Sequence, residues 1–190
     1  MTAEATETKL GPLILVVGPS GAGKDTLIDG AKHAFADDPS IHFVRRLITR
    51  AIPSGEDHDT LTAIEFEAME RAGSFLLHWH AHGLSYGIPI TAQDRRREGA
   101  AVIANVSRTV VDHARRRLAP VRVIVVTAPP KVLAARLKDR GRESVQDAAK
   151  RLAKAAEAMP SGPDVIDVIN DSTLAAGQAA FIAALEKMRR

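Results

Sequence analysis

The chain has 190 residues, 45% hydrophobic and 26% charged, with a net charge of +3. That length and balance describe one soluble domain with a real core, and exclude a disordered or fibrous chain. The absence of cysteine excludes a disulfide framework and a thiolate metal site, and so small a positive excess points to neither nucleic acid nor membrane as partner.

Residues 1–11 are polar and lack the apolar stretch of a signal peptide, so they read as a flexible tail before one domain, 12–190. No apolar run approaches the roughly 20 residues that span a membrane, and a cytoplasmic location is expected. Leu13–Val17 is a strand-forming apolar run. It leads into Gly18-Pro19-Ser20-Gly21-Ala22-Gly23-Lys24, then Asp25 and Thr26. Strand, glycine-rich turn and helix start in this order are the context of a phosphate-binding loop. Gly18, Gly21 and Gly23 let the backbone wrap an anion, the helix N-terminus adds partial positive charge, and Lys24 reaches the β- and γ-phosphates of a nucleotide. The position after the lysine is usually Ser or Thr, whose hydroxyl ligates Mg²⁺. Asp25 stands there instead, with Thr26 next. Asp25 reads either as a Mg²⁺ ligand, direct or through water, or as an acidic residue favoured by the helix dipole.

Downstream, the pattern predicts a helix over Thr26–Phe35, a strand over Ile41–Thr49 with basic residues Arg45, Arg46 and Arg50, and a polar loop over Ala51–Leu61. Thr62-Ala63-Ile64-Glu65 has capping-box spacing and opens a helix to Arg71, ended by Gly73. Phe75–Gly87 is strand-like and histidine-rich. Helix is expected over Pro89–Glu98, strand over Ala100–Val106, helix over Arg108–Leu118, strand over Val121–Thr127 and helix over Pro130–Arg140. A charged helix over Glu143–Met159, a strand over Val165–Asn170 and a helix over Leu174–Met188 complete the chain. Strands alternating with helices predict an α/β fold, a parallel sheet with helices on both faces. Arg95-Arg96-Arg97 and Arg115-Arg116-Arg117 read as solvated faces. His78, His80 and His82 alternate, so one strand face would carry all three. Three such imidazoles suit zinc, although phosphate and hydroxyl contacts, or packing and exposure, explain them without a metal.

The order of pieces resembles the guanylate kinase family of P-loop kinases. The likeness rests on the loop, on Thr49-Arg50 before Gly55-Glu56, on Gly73-Ser74-Phe75-Leu76 through His82-Gly83 to Tyr86-Gly87-Ile88-Pro89, and on Arg136-Leu137, Arg140-Gly141, Glu143-Ser144 and Arg151-Leu152. It implies a three-layer α/β/α P-loop NTPase fold with core 12–40 and 99–190, an acceptor-binding region near 41–98 and a helical lid near 136–155. The groups that read guanine in guanylate kinases are replaced by Leu77 and Ile88, the second phosphate-binding arginine by Pro53, and the acidic pair of the middle strand by Asn105 and Ser107. With Gly-Lys-Asp in the loop, Gly55-Glu56-Asp57-His58, the block His78–Gly87 and Asn105–Arg108, the chain is similar to the ribose 1,5-bisphosphate phosphokinases of phosphonate degradation. That resemblance implies ATP and Mg²⁺ as cofactors and ribose 1,5-bisphosphate as acceptor, in a monomer or homodimer. Residues 18–26 would hold the nucleotide, with Asp25 and Thr26 on the metal. Lys24, Arg136, Arg140 and Arg151 would be catalytic. Arg46, Arg50, Glu56, Asp57, His58, His78, His80, Tyr86, Asn105 and Arg108 would bind the acceptor. Arg108 could equally cover a helix start, and Glu56-Asp57-His58 could be only a polar turn.

Overall fold

The computed structural model describes residues 9–50, 58–139 and 159–190. Five strands form one parallel sheet. Its centre is β1 (Leu13–Val17), flanked by β7 (Ala101–Asn105) and β8 (Val121–Thr127), with β2 (Ile41–Phe43) and β9 (Val165–Ile169) at the edges. Leu15 sits opposite Ala104 on one side and Val123 on the other. All five residues of β1 are completely buried, as a strand covered on both faces requires.

The alternation of β1 divides the core. Ile14 and Val16 face α1 (Lys24–Ala34) and α6 (Leu174–Met188), packing with Leu27, Ala31, Phe181 and Leu185. Leu13, Leu15 and Val17 face Leu77, Trp79 and Ile88, and Val111 and Ala114 of α4 (Val111–Arg117). Cutting Leu15 back to alanine would cost about 2–5 kcal/mol.

A second sheet closes over that second core. Its order is β4 (His58–Thr60), β3 (Arg46–Ile48), β6 (Leu84–Pro89), β5 (Phe75–Ala81). β5 and β6 form a hairpin turning at His82 and Gly83, whose φ angles are 54° and 72°. Helix α2 (Ala63–Arg71) begins at the expected capping box: Thr62 N–H donates to Glu65 Oε2 at 2.7 Å, and Glu65 N–H to Thr62 Oγ1 at 3.2 Å. The remaining α-helices among the described residues are α3 (Ala92–Arg97) and α5 (Pro130–Asp139).

Several expectations change. The single strand over Ile41–Thr49 is two strands in different sheets: β2 pairs with β7, and β3 pairs with β4 and β6. Ile41 belongs to the core under α1, and Val44 N–H still donates to Ile103 O at 2.9 Å before the chain crosses over. No Gly or Pro marks the crossing. Gly11, counted with the tail in the sequence, is tied to the domain: its N–H donates to Arg96 O at 2.8 Å.

Arg96, expected on a solvated face, is fully buried. It donates from Nε to Gly11 O at 2.9 Å and from one terminal nitrogen to Leu118 O and Pro120 O at 2.7 and 3.1 Å. Burial pulls its pKa below the ordinary guanidinium value. Three consecutive helical residues span about 200° of a helix surface, so one of Arg95–Arg97 has to face inward. Arg115 is likewise drawn into a two-pronged pair with Asp164, at 2.8 and 2.9 Å, which raises its pKa. Most of the expected lid, and the expected helix up to 158, lie outside the described residues.

Candidate active site

The chain leaves β1 through Gly18, Gly21 and Gly23, with φ of 147°, 85° and 89°, values that L side chains resist. A side chain at Gly18 would also strike the Val126 carbonyl. Gly23 is the N-cap of α1, and no side chain among the described residues caps that helix; a helix N-terminus built this way favours an anion. Lys24 is its first residue, and Nζ donates to Gly18 O at 2.8 Å and Pro19 O at 3.0 Å. The ammonium therefore lies across the loop it follows. Asn170, beyond β9, is buried, and its Nδ2 donates to Ala22 O at 2.8 Å. Sequence reading gave Asn170 no such role, because nothing local marks a side chain that acts on a loop so far away along the chain.

Two clefts of about 290 Å³ each meet at this loop and share Gly21 and Gly23 as lining residues. The first contains Lys24, Asp25, Arg46, Arg50, Tyr86 and Asn105, which the sequence had singled out. Asp25 Oδ1 accepts from Asn105 Nδ2 at 2.7 Å and lies 3.5 Å from an Arg46 guanidinium nitrogen. The starts of α1 and β3 and the end of β7 are thereby tied together. Tyr86 stacks on Trp79 with centroids 5.3 Å apart and planes 3° from parallel, and both line the cleft. The second cleft contains Thr26, Arg136, Asn170, Ser172 and Leu174. One terminal nitrogen of Arg136 is buried without a hydrogen-bond partner among the described residues. Buried guanidinium N–H groups ordinarily have acceptors, so this one suits an anion at the loop. Asp25 and Thr26 thus line different clefts.

Other expected residues stand elsewhere. His78 and His80 are exposed, on the face of β5 opposite Trp79 and Ala81, which line the first cleft. A strand side chain points one way or the other with period two, so Trp79 and Ala81 take the inner face that the histidines were expected to hold. His82 lines the cleft only because the chain turns there. The same alternation, counted from Trp79, would have found the inner face. His58 is buried, lines neither cleft, and has no ring hydrogen bond among the described residues. Arg108 is half-buried, with a guanidinium nitrogen 3.9 Å from Met159 Sδ, while its neighbour Ser107 lines the first cleft. Leu77 and Ile88 are buried, oppose each other across the hairpin and belong to the second core. Glu56, Asp57, Arg140 and Arg151 lie outside the described residues.

Parallel sheet, loop and twin clefts define a P-loop kinase of guanylate kinase-like fold. The structure superposes on guanylate kinase from Anaplasma phagocytophilum with a TM-score of 0.69, at 17% identity, covering 96% of this chain and 88% of that one. It matches a gluconokinase from Sinorhizobium meliloti 1021 at a TM-score of 0.51, also at 17% identity. Likeness at that identity concerns the fold alone. A family model described as an AAA domain matches residues 14–177. The chain is 45% identical over 183 residues to the ribose 1,5-bisphosphate phosphokinase PhnN of Brucella melitensis biotype 2, covering 96% of this chain and 95% of that protein. It is 49% identical over 160 residues to the enzyme of the same name from Rhodopseudomonas palustris, covering 83% and 82%. The chain belongs to the ribose 1,5-bisphosphate phosphokinase family.

Proposed function

We propose that this chain transfers the γ-phosphoryl group of ATP to the 1-phosphate of ribose 1,5-bisphosphate, forming 5-phospho-α-D-ribose 1-diphosphate in phosphonate breakdown. The observation that carries the reading is kinship along nearly the whole chain, 45% identity over 183 residues to a kinase of that name. The two clefts give it a physical form. The one beside Arg136 takes the donor and the one beside Arg46 and Arg50 takes the acceptor.

The attacking atom is already an anionic phosphate oxygen, so no base has to remove a proton. Positioning and charge neutralisation do the work. The loop 18–24 and Lys24 Nζ hold the donor phosphates, and Arg136 meets them from the second cleft. Arg140 and Arg151, at lid positions, stabilise charge on the transferred group. Arg46 and Arg50 hold the acceptor's phosphates, for which a planar guanidinium fork is well shaped. Asn105 and Arg46 fix the rotamer of Asp25. The donor set suits Mg²⁺: a carboxylate and a hydroxyl stand on consecutive residues at the loop, and Mg²⁺ takes few protein oxygens while keeping waters. Asp25 or Thr26, which line different clefts, would hold it directly or through water, and it would there neutralise the donor's phosphate charge. Guanine recognition has no polar group to use at Leu77 or Ile88, both buried. No described helix is long and apolar enough to cross a membrane; we place the enzyme in the cytoplasm, as a monomer or homodimer.

The test is formation of 5-phosphoribosyl 1-diphosphate by purified protein given ATP and ribose 1,5-bisphosphate, with GMP as parallel acceptor. Product from the sugar and none from GMP is expected. No product despite ATP binding would overturn the acceptor assignment, and comparable GMP turnover would make the chain a guanylate kinase.

A further inference from the structure

On the outer face of β5, away from both clefts, Glu70 of α2 and His78 and His80 of β5 each bring one ligand atom within 4.8 Å of the others. His78 Nδ1 stands 3.4 Å from Glu70 Oε1. Two ligands bound about 2.0–2.2 Å from one tetrahedral zinc ion lie about 3.3–3.5 Å apart. That pair already stands at a chelating separation. His80 Nδ1 shares a hydrogen bond of 2.9 Å with Ser85 Oγ across the hairpin. A partner behind an imidazole fixes its tautomer and orientation in the manner seen at metal-bound histidines.

The surroundings fit as well. Phe66 and Phe75 stack at 4.6 Å and form an apolar base, with the His80 and His78 rings 6.1 and 6.0 Å from them respectively. The side chains of His78 and Glu70 are 43% and 38% exposed, so an ion reaches them without opening the core. An ion pair between His78 and Glu70 accounts for those two residues, and the Ser85 hydrogen bond engages only Nδ1 of His80. Two imidazoles and a carboxylate around one point are a donor set for zinc and its first-row neighbours, whereas Mg²⁺ prefers oxygens alone.

We propose that Glu70, His78 and His80 bind a zinc-class divalent ion that clips α2 to β5, with solvent in the fourth position. The ion is structural. Its site lies on the far side of the strand from Trp79 and Ala81, and it stands whatever the acceptor proves to be.

The experiment uses the full chain without an affinity tag, with Mg²⁺ in excess to fill oxygen-rich sites. Zn²⁺ is titrated calorimetrically, Co²⁺ is followed by its visible absorption, and melting is recorded with and without Zn²⁺. One equivalent of each metal and a raised Tm with Zn²⁺ are expected, since an ion that binds only the folded state stabilises it. His78→Asn combined with His80→Asn should remove the binding, the cobalt bands and the Tm shift, while leaving ATP binding and the metal-free Tm unchanged. Ser85→Ala should weaken Zn²⁺ about 10–100-fold. Glu70→Gln, on an exposed helix face, serves should the double variant fail to fold, and should also weaken the ion. Parent protein that binds Zn²⁺ no more tightly than these variants do would overturn the site.

Discussion

The two sheets solve different problems. The five-stranded sheet is apolar on both faces, and its central strand has no exposed residue. The four-stranded sheet turns one face to the core and carries a mixed face outside, where Phe75 stacks on Phe66 of α2 beside the histidines. Leu77, Trp79 and Ile88 enter the core, while His78 and His80 stay in solvent. Chemistry gathers where the two meet, at the end of β1 and the start of β3. The large sheet thus supplies a rigid loop, and the small one supplies cations at an edge it can spare. Stability and acceptor recognition should separate under mutation accordingly.

The largest effect should fall on the inner face of the small sheet. Leu77→Glu with Ile88→Ser restores the residue types that read guanine in guanylate kinases, yet both positions are core here. An unpaired buried carboxylate costs on the order of 3–5 kcal/mol, and denaturant titration should show that loss with no gain of GMP turnover. A stable variant that phosphorylates GMP would make this face a site and erase the contrast. Lys24→Ala should do the reverse. Its kcat should fall about 10²–10³-fold, the loss seen when one donor to developing charge is removed, with little change in Tm. Near-normal turnover would remove Lys24 from the chemistry.

Arg96→Met tests the seam behind the large sheet. Without its donors the carbonyls of Gly11, Leu118 and Pro120 lose buried partners, and unfolding free energy should drop by about 2–3 kcal/mol while KM stays put. Arg50→Ala should act oppositely, raising the acceptor's KM with ATP affinity unchanged. A hydrogen bond to a charged group is worth about 1.5–3 kcal/mol, so roughly a 10–100-fold change is expected from steady-state kinetics. The smallest effect concerns the α2 capping box. The Thr62 backbone N–H, and then its hydroxyl, hold the Glu65 carboxyl below its usual value. That stabilisation is present above the unfolded value of about 4.5 and is lost as pH falls through the lower, folded one. The stability difference between Glu65→Gln and parent should therefore be visible at neutral pH and vanish in acid. A difference that persists at low pH would show that the carboxylate's charge is irrelevant.

Much of the large sheet was legible because its strands are continuous apolar runs between turn signals. Leu13–Val17 and Val121–Thr127 form as expected. The small sheet was harder. Only Val44 and Arg45 separate β2 from β3, and neither is a turn-forming residue, so nothing in Ile41–Thr49 announces that the two part company. In the site, the glycines and Lys24 speak through spacing. Arg46 and Arg50 came from resemblance and fell in the cleft. His78 and His80 failed because alternation tells which residues share a face, and the inward face is chosen only when Trp79 is taken as its anchor. Asn170 carries no local signal at all.

That asparagine sets an order of events during synthesis. The phosphate loop leaves the ribosome early, with β1. Its Ala22 carbonyl meets its buried amide partner only after Asn170, 148 positions later, has been made. The Asn170 carboxamide in turn packs so close to Gly177 of α6 that a side chain there would strike it. A nascent chain that stops before β9 carries the whole loop motif without the contact that shapes it.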